Sequence, residues 1–379
     1  MGLSAVLRRR WISGLLRSRG DATSNWTVPY RGLVANQTIT ATGVSGTFRS
    51  AISNYSSSAA APWLMLESQY NDSLGDWTYR FHSCAEAKTY TFLKNRRGDC
   101  FRPNMLAANV VGSSRGWIAV HNVWREKNDL FLSDPTTFRL IDLPPLEPTA
   151  RLRSLILEHR RDDGNAFVIS NSGMIYCSPG RSRQWTPFGS CGGAYESLVY
   201  SSHHHRLFSL TSASDLEAWD VKSEQPRLER TIPLYLGSQR PGLTRAVYLV
   251  RTAEQSGIEL FVVVRFVKTG GGFRVGREQY VVPTVDFEVY EVDLEREMAV
   301  KMEKSLGGLT MFVGLNEGVA VRDVRGLRRD AIYFAYDKRG CYERRGDSED
   351  VGIFDYEKGR ILPIHPMGLR RALWFTPAI

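Results

Sequence analysis

Short strand-like runs in this chain repeatedly end in an aromatic or apolar residue that is followed by Asp or Pro and a turn. The runs occupy residues 131–135, 176–179, 219–220, 290–293 and 354–355. One residue from each run, with Tyr90 ahead of the first run, serves as a phase marker, which gives the series Tyr90, Asp134, Ser178, Asp220, Asp293 and Asp355. The successive intervals are 44, 44, 42, 73 and 62 residues, and the first three match the period of about 40–50 residues per blade of a β-propeller. The sequence therefore predicts an all-β fold, a β-propeller of about six blades, in which the two longer intervals contain insertions.

The composition from residue 62 to residue 379 supports one continuous β domain. It consists of short β-rich runs that end in Gly, Asn, Asp or Pro, and only residues 152–159 show a loose helical period. Two glycine- or charge-rich segments, 268–278 and 338–350, are predicted to be inserted loops. Two separate β domains are the alternative, but no linker rich in Pro, Gly and Ser divides residues 62–379.

Residues 1–61 have the composition of an organellar presequence followed by a disordered segment. The first 66 residues contain seven arginines, no lysine and one acid, Asp21, whereas the formal net charge of the whole chain is +9. A basic, Ser/Thr-rich and acid-poor leader is typical of import into a mitochondrion or, alternatively, a chloroplast. The segment 22–61 holds 13 Ser or Thr and has too few large apolar groups to order itself. We therefore expect a mitochondrial protein with a folded domain at 62–379, with a chloroplast location as the alternative.

Other interpretations of the leader remain open. It could be a basic tail without a targeting role. Sequons at Asn25, Asn36, Asn54 and Asn71 would accept glycans in the secretory route. A secretory signal requires an unbroken apolar core, however, and Arg17 interrupts the only candidate. We predict no membrane span, since no run of about 20 apolar residues occurs.

The five cysteines, at 84, 100, 177, 191 and 341, are odd in number and form no C-x-x-C motif. This pattern favours reduced thiols over a disulfide framework or a zinc site. A bond between Cys177 and Cys191 is the alternative.

A set of phrases in fixed order resembles one plant family. The phrases are GSSRGW at 112–117, DLFLSDP at 129–135, LIDLPP at 140–145, LEAWD at 216–220, FEVYEVDL at 287–294, SLGG at 305–308, AIYF at 331–334, IFD at 353–355 and WFTP at 374–377. Together they are similar to the domain-of-unknown-function 295 family, the β-propellers often found behind an F-box. No F-box is readable here, because the leader occupies its place, and in this the chain resembles the organelle-targeted branch of that family. The resemblance implies a propeller with no known catalytic residues, no cofactor and no established biochemical activity.

Ser114 is the strongest candidate for chemistry. Residues 112–116 read G-S-S-R-G and satisfy G-x-S-x-G, the turn that presents the nucleophile of serine hydrolases. That turn should lead into a helix, but residues 117–121 are apolar and β-branched and predict a strand. The sequence therefore favours a turn between two blade strands, and a serine hydrolase that uses Ser114 is retained as an alternative function.

Three further patterns have ordinary explanations. His203 and His205 could face one side of a strand and share a metal, but no third ligand is identifiable, so a solvated turn is favoured. The glycines at 270–272 and 276 lack the Lys-Ser/Thr of a phosphate-binding loop. Basic clusters at 94–97, 181–183, 328–329 and 344–345, with Trp185, Phe188 or Tyr342 nearby, could bind RNA, but neighbouring acids dilute them.

We therefore predict a non-enzymatic organellar β-propeller without catalytic, cofactor-binding or metal-binding residues, which binds an unknown protein partner through loops on one face. The alternatives are an F-box-like substrate-adaptor relative without the F-box, an organellar RNA-binding propeller, and the serine hydrolase. Trp117, Trp185 and Trp219 are expected to be structural, since tryptophans in propellers pack between blades.

Overall fold

The computed structural model describes most of the domain that begins near residue 61. The described residues are 36–40, 61–71, 76–94, 108–124, 127–137, 139–147, 150, 152–158, 164–189, 194–223, 225–237, 239–252, 260–268, 273–275, 279–281, 284–335, 350–364 and 372–377. Of the predicted leader, this includes only residue 61 and residues 36–40, which form a short strand and so differ from the predicted disorder; the rest of that prediction lies outside the described residues.

Every regular element in this part of the chain is a β-strand. Strands β1 to β8 are Asn36–Thr40, Trp63–Asn71, Asp76–Ser83, Lys88–Lys94, Ala108–Ser114, Trp117–Trp124, Lys127–Ser133 and Leu140–Leu143. Strands β9 to β16 are Leu152–Leu157, Ala166–Ser170, Gly173–Cys177, Thr186–Phe188, Tyr195–Ser201, Arg206–Thr211, Asp215–Asp220 and Arg227–Pro233. Strands β17 to β22 are Leu243–Thr252, Leu260–Lys268, Phe273–Val275, Gln279–Val281, Thr284–Asp293 and Met298–Lys301. Strands β23 to β28 are Leu309–Val313, Gly318–Arg322, Ala331–Phe334, Gly352–Asp355, Arg360–Leu362 and Leu373–Phe375.

The described strands form the six blades of a propeller, which confirms the predicted fold. From the axis outward, blade one is β28-β2-β3-β4, blade two β5 to β8, blade three β9 to β12, blade four β13 to β16, blade five β17-β18-β21-β22 and blade six β24-β23-β25-β26-β27. Blades five and six share one sheet, because β17 pairs in parallel with β24. Strand β28, from the far end of the sequence, pairs antiparallel with β2 and so closes the ring. Strand β1 adds in parallel to the outer edge of β4.

The hydrophobic core is divided among the blade interfaces. The described residues form six buried apolar clusters, and each cluster draws its members from two neighbouring blades. At the closure, Trp374 of blade one lies edge-on to Phe312 of blade six, with ring centroids 5.0 Å apart. Because each apolar face is buried only by the next blade, the stability of every blade depends on the closure of the ring.

The aspartates used as phase markers end, or directly follow, the strand next to the outermost strand of their blades, and their side chains close the turn to that outermost strand. Oδ1 of Asp134 accepts hydrogen bonds from the backbone N–H groups of Thr136 and Thr137. The same role falls to Asp220, Asp293 and Asp355. This Asx-turn chemistry explains why the repeat was readable in the sequence. Tyr90 was the wrong marker for blade one, since it lies in the outer strand β4, whereas the third strand ends at Ser83.

Two other predictions need correction. The loose helical period near 152–159 does not mark a helix in its described part: residues 152–157 form β9, the innermost strand of blade three, and burial on both faces hides the alternation expected of a strand. The segment 268–278 is not only a loop, since its residues 273–275 form β19, which pairs antiparallel with β20 just beyond the segment. The interval of 62 residues between Asp293 and Asp355 exceeds one blade because it contains β24, an extra innermost strand of blade six. Of the predicted loop 338–350, only Asp350 is described, so the prediction lies outside the described residues.

Candidate functional site at the propeller axis

A buried carboxylate, Glu317, lies where the innermost strands of four blades end. Strands β5 and β9 end there at Ser114 and Leu157, and Tyr200 and Arg251 are the penultimate residues of β13 and β17. The turn 314–317 of blade six enters among them, and its backbone pairs with β5 through a parallel bridge between Ser113 and Asn316. The side chain of Glu317 is only 4% exposed.

Glu317 contacts three other blades through its two carboxylate oxygens. Oε2 accepts a hydrogen bond of 2.8 Å from Ser114 Oγ of blade two. Oε1 accepts hydrogen bonds from Arg251 Nε of blade five at 2.9 Å and from the Tyr200 backbone N–H of blade four at 3.4 Å. Arg115 Nη2 of blade two lies 3.7 Å from the same oxygen. We call these residues, Ser114, Arg115, Tyr200, Arg251 and Glu317, the axial cluster.

Blades one and three join this network indirectly. Ser113 Oγ donates to the carbonyl of Trp374 in blade one at 2.6 Å, and the Glu317 backbone N–H donates to the Ser113 carbonyl at 3.0 Å. The Leu157 backbone N–H of blade three donates to Ser114 Oγ at 3.1 Å. Hydrogen bonds at the axis thus connect all six blades.

The electrostatics of the axial cluster are those of a charge-compensated buried group. Burial alone would raise the pKa of Glu317, but attraction to Arg251 and Arg115, with hydrogen bonds from Arg251 and Ser114, lowers it below its ordinary value. Burial, with repulsion from Arg251, lowers the pKa of Arg115 against the attraction of Glu317. Glu317 is therefore ionised at neutral pH and is held as an anion by two cations, which suits an internal tie rather than a general acid or base.

Ser114 has the environment predicted for a blade turn. Arg115 and Gly116 adopt positive φ values of 51° and 85°, the geometry of a tight hairpin turn, and the chain enters strand β6 directly afterwards. The Ser114 hydroxyl is buried, donates to a carboxylate and accepts from a backbone amide, and no hydrogen bond links it to any described histidine. The arrangement does not supply the base that a nucleophilic serine requires.

A glycine allows the turn from blade six to approach this closely. A Cβ atom on Gly318 would lie 2.1 Å from the carbonyl oxygen of Leu249 in blade five. The parallel pairing of β24 with β17 therefore requires glycine at this position.

The three consecutive histidines lie in a turn, the interpretation that the sequence favoured over a metal site. His203, His204 and His205 occupy the turn between β13 and β14, and His205 has a φ of 51°. Since they are not in a strand, the alternation that would have placed His203 and His205 on one face does not apply. Within the ranges that the structure describes, no group of three His, Cys, Asp or Glu side chains is placed to hold a metal ion.

The residues proposed to stack on RNA bases are engaged in packing where they are described. Trp185 Nε1 donates to the Pro144 carbonyl at 2.9 Å, and Phe188 packs edge-on against Trp219 with centroids 5.4 Å apart. Arg328 and Arg329 pair with Asp355 and Asp323. The cluster 344–345 and Tyr342, like residues 95–97, lie outside the described residues.

The remaining tryptophans and cysteines that the sequence singled out are buried or partly buried where the structure describes them. Trp117 and Trp219 are buried between blades, as predicted. Cys177 is buried as a free thiol and Cys84 is a partly buried free thiol, whereas Cys100, Cys191 and Cys341 are outside the described residues. Burial raises the pKa of Cys84 to about 12, so this thiol is not a nucleophile at neutral pH. In the described part of the chain, no helix is long and apolar enough to cross a membrane.

Sequence reasoning missed Arg251 and Glu317. The available signal was the phrase LNEG at 315–318, a carboxylate between two apolar strands with no cation near it in sequence. The partners come from other blades, so the sequence alone could not join them.

Comparisons with known proteins agree with this architecture. A model of the KIB1-4 beta-propeller family matches residues 81–355, which is more than half of the chain. Two Arabidopsis thaliana proteins whose names mark them as F-box candidates are 22% and 21% identical over 48% and 66% of this chain. The matches cover 46% and 65% of those relatives, so the chain spans less than two thirds of the length of either.

Solved structures with similar folds have low sequence identity to this chain. The β-propeller domain of Cps50 (Swd1) from Myceliophteria thermophila has 10% identity and a TM-score of 0.37 over 81% of this chain and 87% of that chain. The major allergen Mala s 1 of Malassezia sympodialis has 10% identity and a TM-score of 0.35 over the same shares. Because the family model matches more than half of the chain, and the chain forms the six blades of a propeller, the chain belongs to the KIB1-4 beta-propeller family.

Proposed function

We propose that this chain is a non-enzymatic protein-interaction scaffold of the F-box-associated propeller type, imported into the mitochondrion or, alternatively, the chloroplast. The observation that carries the proposal is the axial cluster. Ser114, which lies in a nucleophile-like motif, donates its hydroxyl to Glu317, and the cluster fixes the inner strands in place. A rigid ring of this kind is suited to presenting loops to a partner.

The organellar part of the proposal depends on the composition of residues 1–61, and the resemblance to the organelle-targeted branch of the domain-of-unknown-function 295 family supports it. The experiment is purification of the full chain, tagged at its C-terminus, from isolated organelles of plant cells. We expect the tag in the mitochondrial fraction together with a reproducible protein partner. A tag confined to the cytosol would remove the organellar part of the proposal.

The matched variant Ser114→Ala separates a scaffold from a hydrolase. A scaffold should recover the same partner with either chain. Labelling of the wild-type chain by a fluorophosphonate probe, lost in Ser114→Ala, would overturn the non-enzymatic part.

A second candidate function is that of a substrate adaptor related to F-box proteins, and the names of the two Arabidopsis relatives favour it. An adaptor for degradation and a stable scaffold differ in the fate of the partner. If the chain is an adaptor, its loss should raise the abundance of the partner, whereas loss of a scaffold should leave that abundance unchanged or lower it. Quantitative proteomics of cells with and without the chain distinguishes the two.

A further inference from the structure

Tyr235 is the most exposed large hydrophobic side chain of the described residues. It is 89% exposed, and the next, Val300, is 51% exposed. Tyr235 lies in the connection from β16 of blade four to β17 of blade five. Tyrosine combines a large apolar ring with a polar hydroxyl and is enriched in protein interfaces, so a tyrosine this exposed is a candidate contact for a partner.

The backbone around Tyr235 is held firmly. The Leu234 N–H donates to the Ser214 carbonyl at 3.0 Å, and the Leu236 N–H donates back to the Leu234 carbonyl at 3.1 Å, which makes a tight turn centred on Tyr235. Leu234 is 5% exposed, and Leu236 packs against the apolar cluster between blades four and five. The two leucines thus fix the turn from both sides and direct the tyrosine outward.

Gly237 and Arg240, which follow Tyr235 in the same connection, also hold its backbone in place. The Gly237 N–H donates to Tyr290 Oη at 2.8 Å, and a Cβ atom on Gly237 would lie 2.8 Å from the same oxygen. Arg240 bonds to Asp286 at 2.6 Å and to Glu288 at 2.7 Å, and its guanidinium lies 4.0 Å from the centre of the Phe266 ring. The ring of Tyr235 is therefore presented by a preorganised turn, so binding of a partner does not carry the entropic cost of ordering the backbone.

The charge beside this turn indicates the chemistry of the partner. Arg240 and Lys301 are compensated by Asp286 and Glu288. Arg245, by contrast, bonds only to the backbone carbonyl of Gly237, at 3.2 Å, among the described residues. Tyr and Arg are the residue types that most often dominate the binding energy of protein interfaces.

From these observations we propose that the Tyr235 turn, Leu234 to Gly237 with Arg245, is a docking site for a protein segment that offers an apolar slot for the ring and a carboxylate for Arg245. This inference rests on the proposed scaffold function and identifies the surface that the scaffold uses. The turn itself needs no aromatic residue, so replacement of Tyr235 should leave the fold intact.

The first test measures the affinity of the full chain for the partner recovered from organelles. Tyr235→Ala should weaken binding at least tenfold, Tyr235→Phe much less, and Val300→Ala, the matched exposed control, less than twofold. Arg245→Gln should weaken binding and reduce its dependence on salt. If Tyr235→Ala binds within twofold of wild type, this inference fails while the scaffold proposal stands.

The second test does not depend on any natural partner. A random peptide library displayed on phage is selected on the wild-type chain and on Tyr235→Ala, both confirmed as folded by circular dichroism. The wild-type chain should enrich peptides that combine Asp or Glu with large apolar residues, and the variant should not. Equal enrichment on both proteins, or none on the wild type, would overturn the inference.

Discussion

Ser114 and Glu317, 203 positions apart in the chain, are joined by a hydrogen bond of 2.8 Å at the propeller axis. The bond couples the turn of blade two to the inserted turn of blade six, and Arg251 of blade five holds the other oxygen of the same carboxylate. Ser114, which resembles a catalytic nucleophile in sequence, therefore forms part of an internal tie between blades.

Glu317→Gln should destabilise the propeller by about 3 kcal/mol, because removal of the buried charge leaves two partly buried arginines without their anion. The measurement is the free energy of unfolding in urea at pH 7. Glu229→Gln is the matched control: it removes the acid of an exposed pair with Arg206 and should cost less than about 1 kcal/mol. Similar costs for the two variants would contradict a special role for the axis.

The lowered pKa of Glu317 also predicts how the effect of Glu317→Gln on stability depends on pH. The pKa of Glu317 is lowered in the folded state, so its stabilising contribution is fully present above the ordinary Glu pKa of about 4.3 and is lost as the pH falls through the lower folded value. The difference in unfolding free energy between wild type and Glu317→Gln should therefore be constant from pH 7 to about pH 5 and shrink below about pH 4. Other carboxylates titrate in both proteins and cancel in the difference. A difference that grows on acidification would show that the sign is wrong.

The sequence predicted the repeat because its signal is local. Asp134, Asp220 and Asp293 each close a turn by accepting hydrogen bonds from backbone groups two or three residues away. Each aspartate and the turn that it stabilises therefore lie in the same short stretch of sequence. The innermost strand β9 lacks the alternation of apolar and polar residues that would identify a strand, because both of its faces are buried by other blades. Its environment depends on the closed ring and not on its own residues.

The axial cluster was hidden from the sequence for the same reason. Ser114 was noticed through its motif, but Arg251 and Glu317 belong to no motif, and the contacts among the three span separations of 66 and 203 residues. The extra strand β24, which brings Glu317 to the axis, was visible only as an interval that was too long.

Ser114→Ala should reduce stability by about 1–2 kcal/mol and leave fluorophosphonate labelling unchanged at background. The loss arises because the buried Leu157 N–H is left without its acceptor and Glu317 loses a donor. Ser172→Ala, which alters an exposed hydroxyl on the β10–β11 turn, is the control and should cost less than Ser114→Ala. The checks are urea unfolding and probe labelling; specific labelling of wild type would show that Ser114 is a nucleophile after all.

Gly318→Ala should be more destabilising than Gly242→Ala. The new Cβ at position 318 would meet the Leu249 carbonyl at 2.1 Å, so β24 must move away from β17, at a cost of about 2 kcal/mol or more. Gly242 has a φ of +73°, and no atom lies within 4 Å of the place that a Cβ would take, so alanine there adds only backbone strain of about 1 kcal/mol. Thermal unfolding followed by circular dichroism compares the two. The reverse order would mean that the close approach at the axis does not limit stability.

Truncation before β28 should prevent the ring from closing. Removal of residues 372–379 takes away the innermost strand of blade one and its buried Leu373, Trp374 and Phe375, and exposes the apolar faces of β2 and of blade six. Large apolar losses of this kind exceed the net stability of most domains, so we expect a chain that binds a hydrophobic dye and is digested rapidly by protease. Removal of residues 378–379 alone leaves β28 intact and should preserve a cooperative unfolding transition. If the longer truncation keeps wild-type protease resistance, then closure through β28 does not hold the propeller together, and the blades must be stable as an open array.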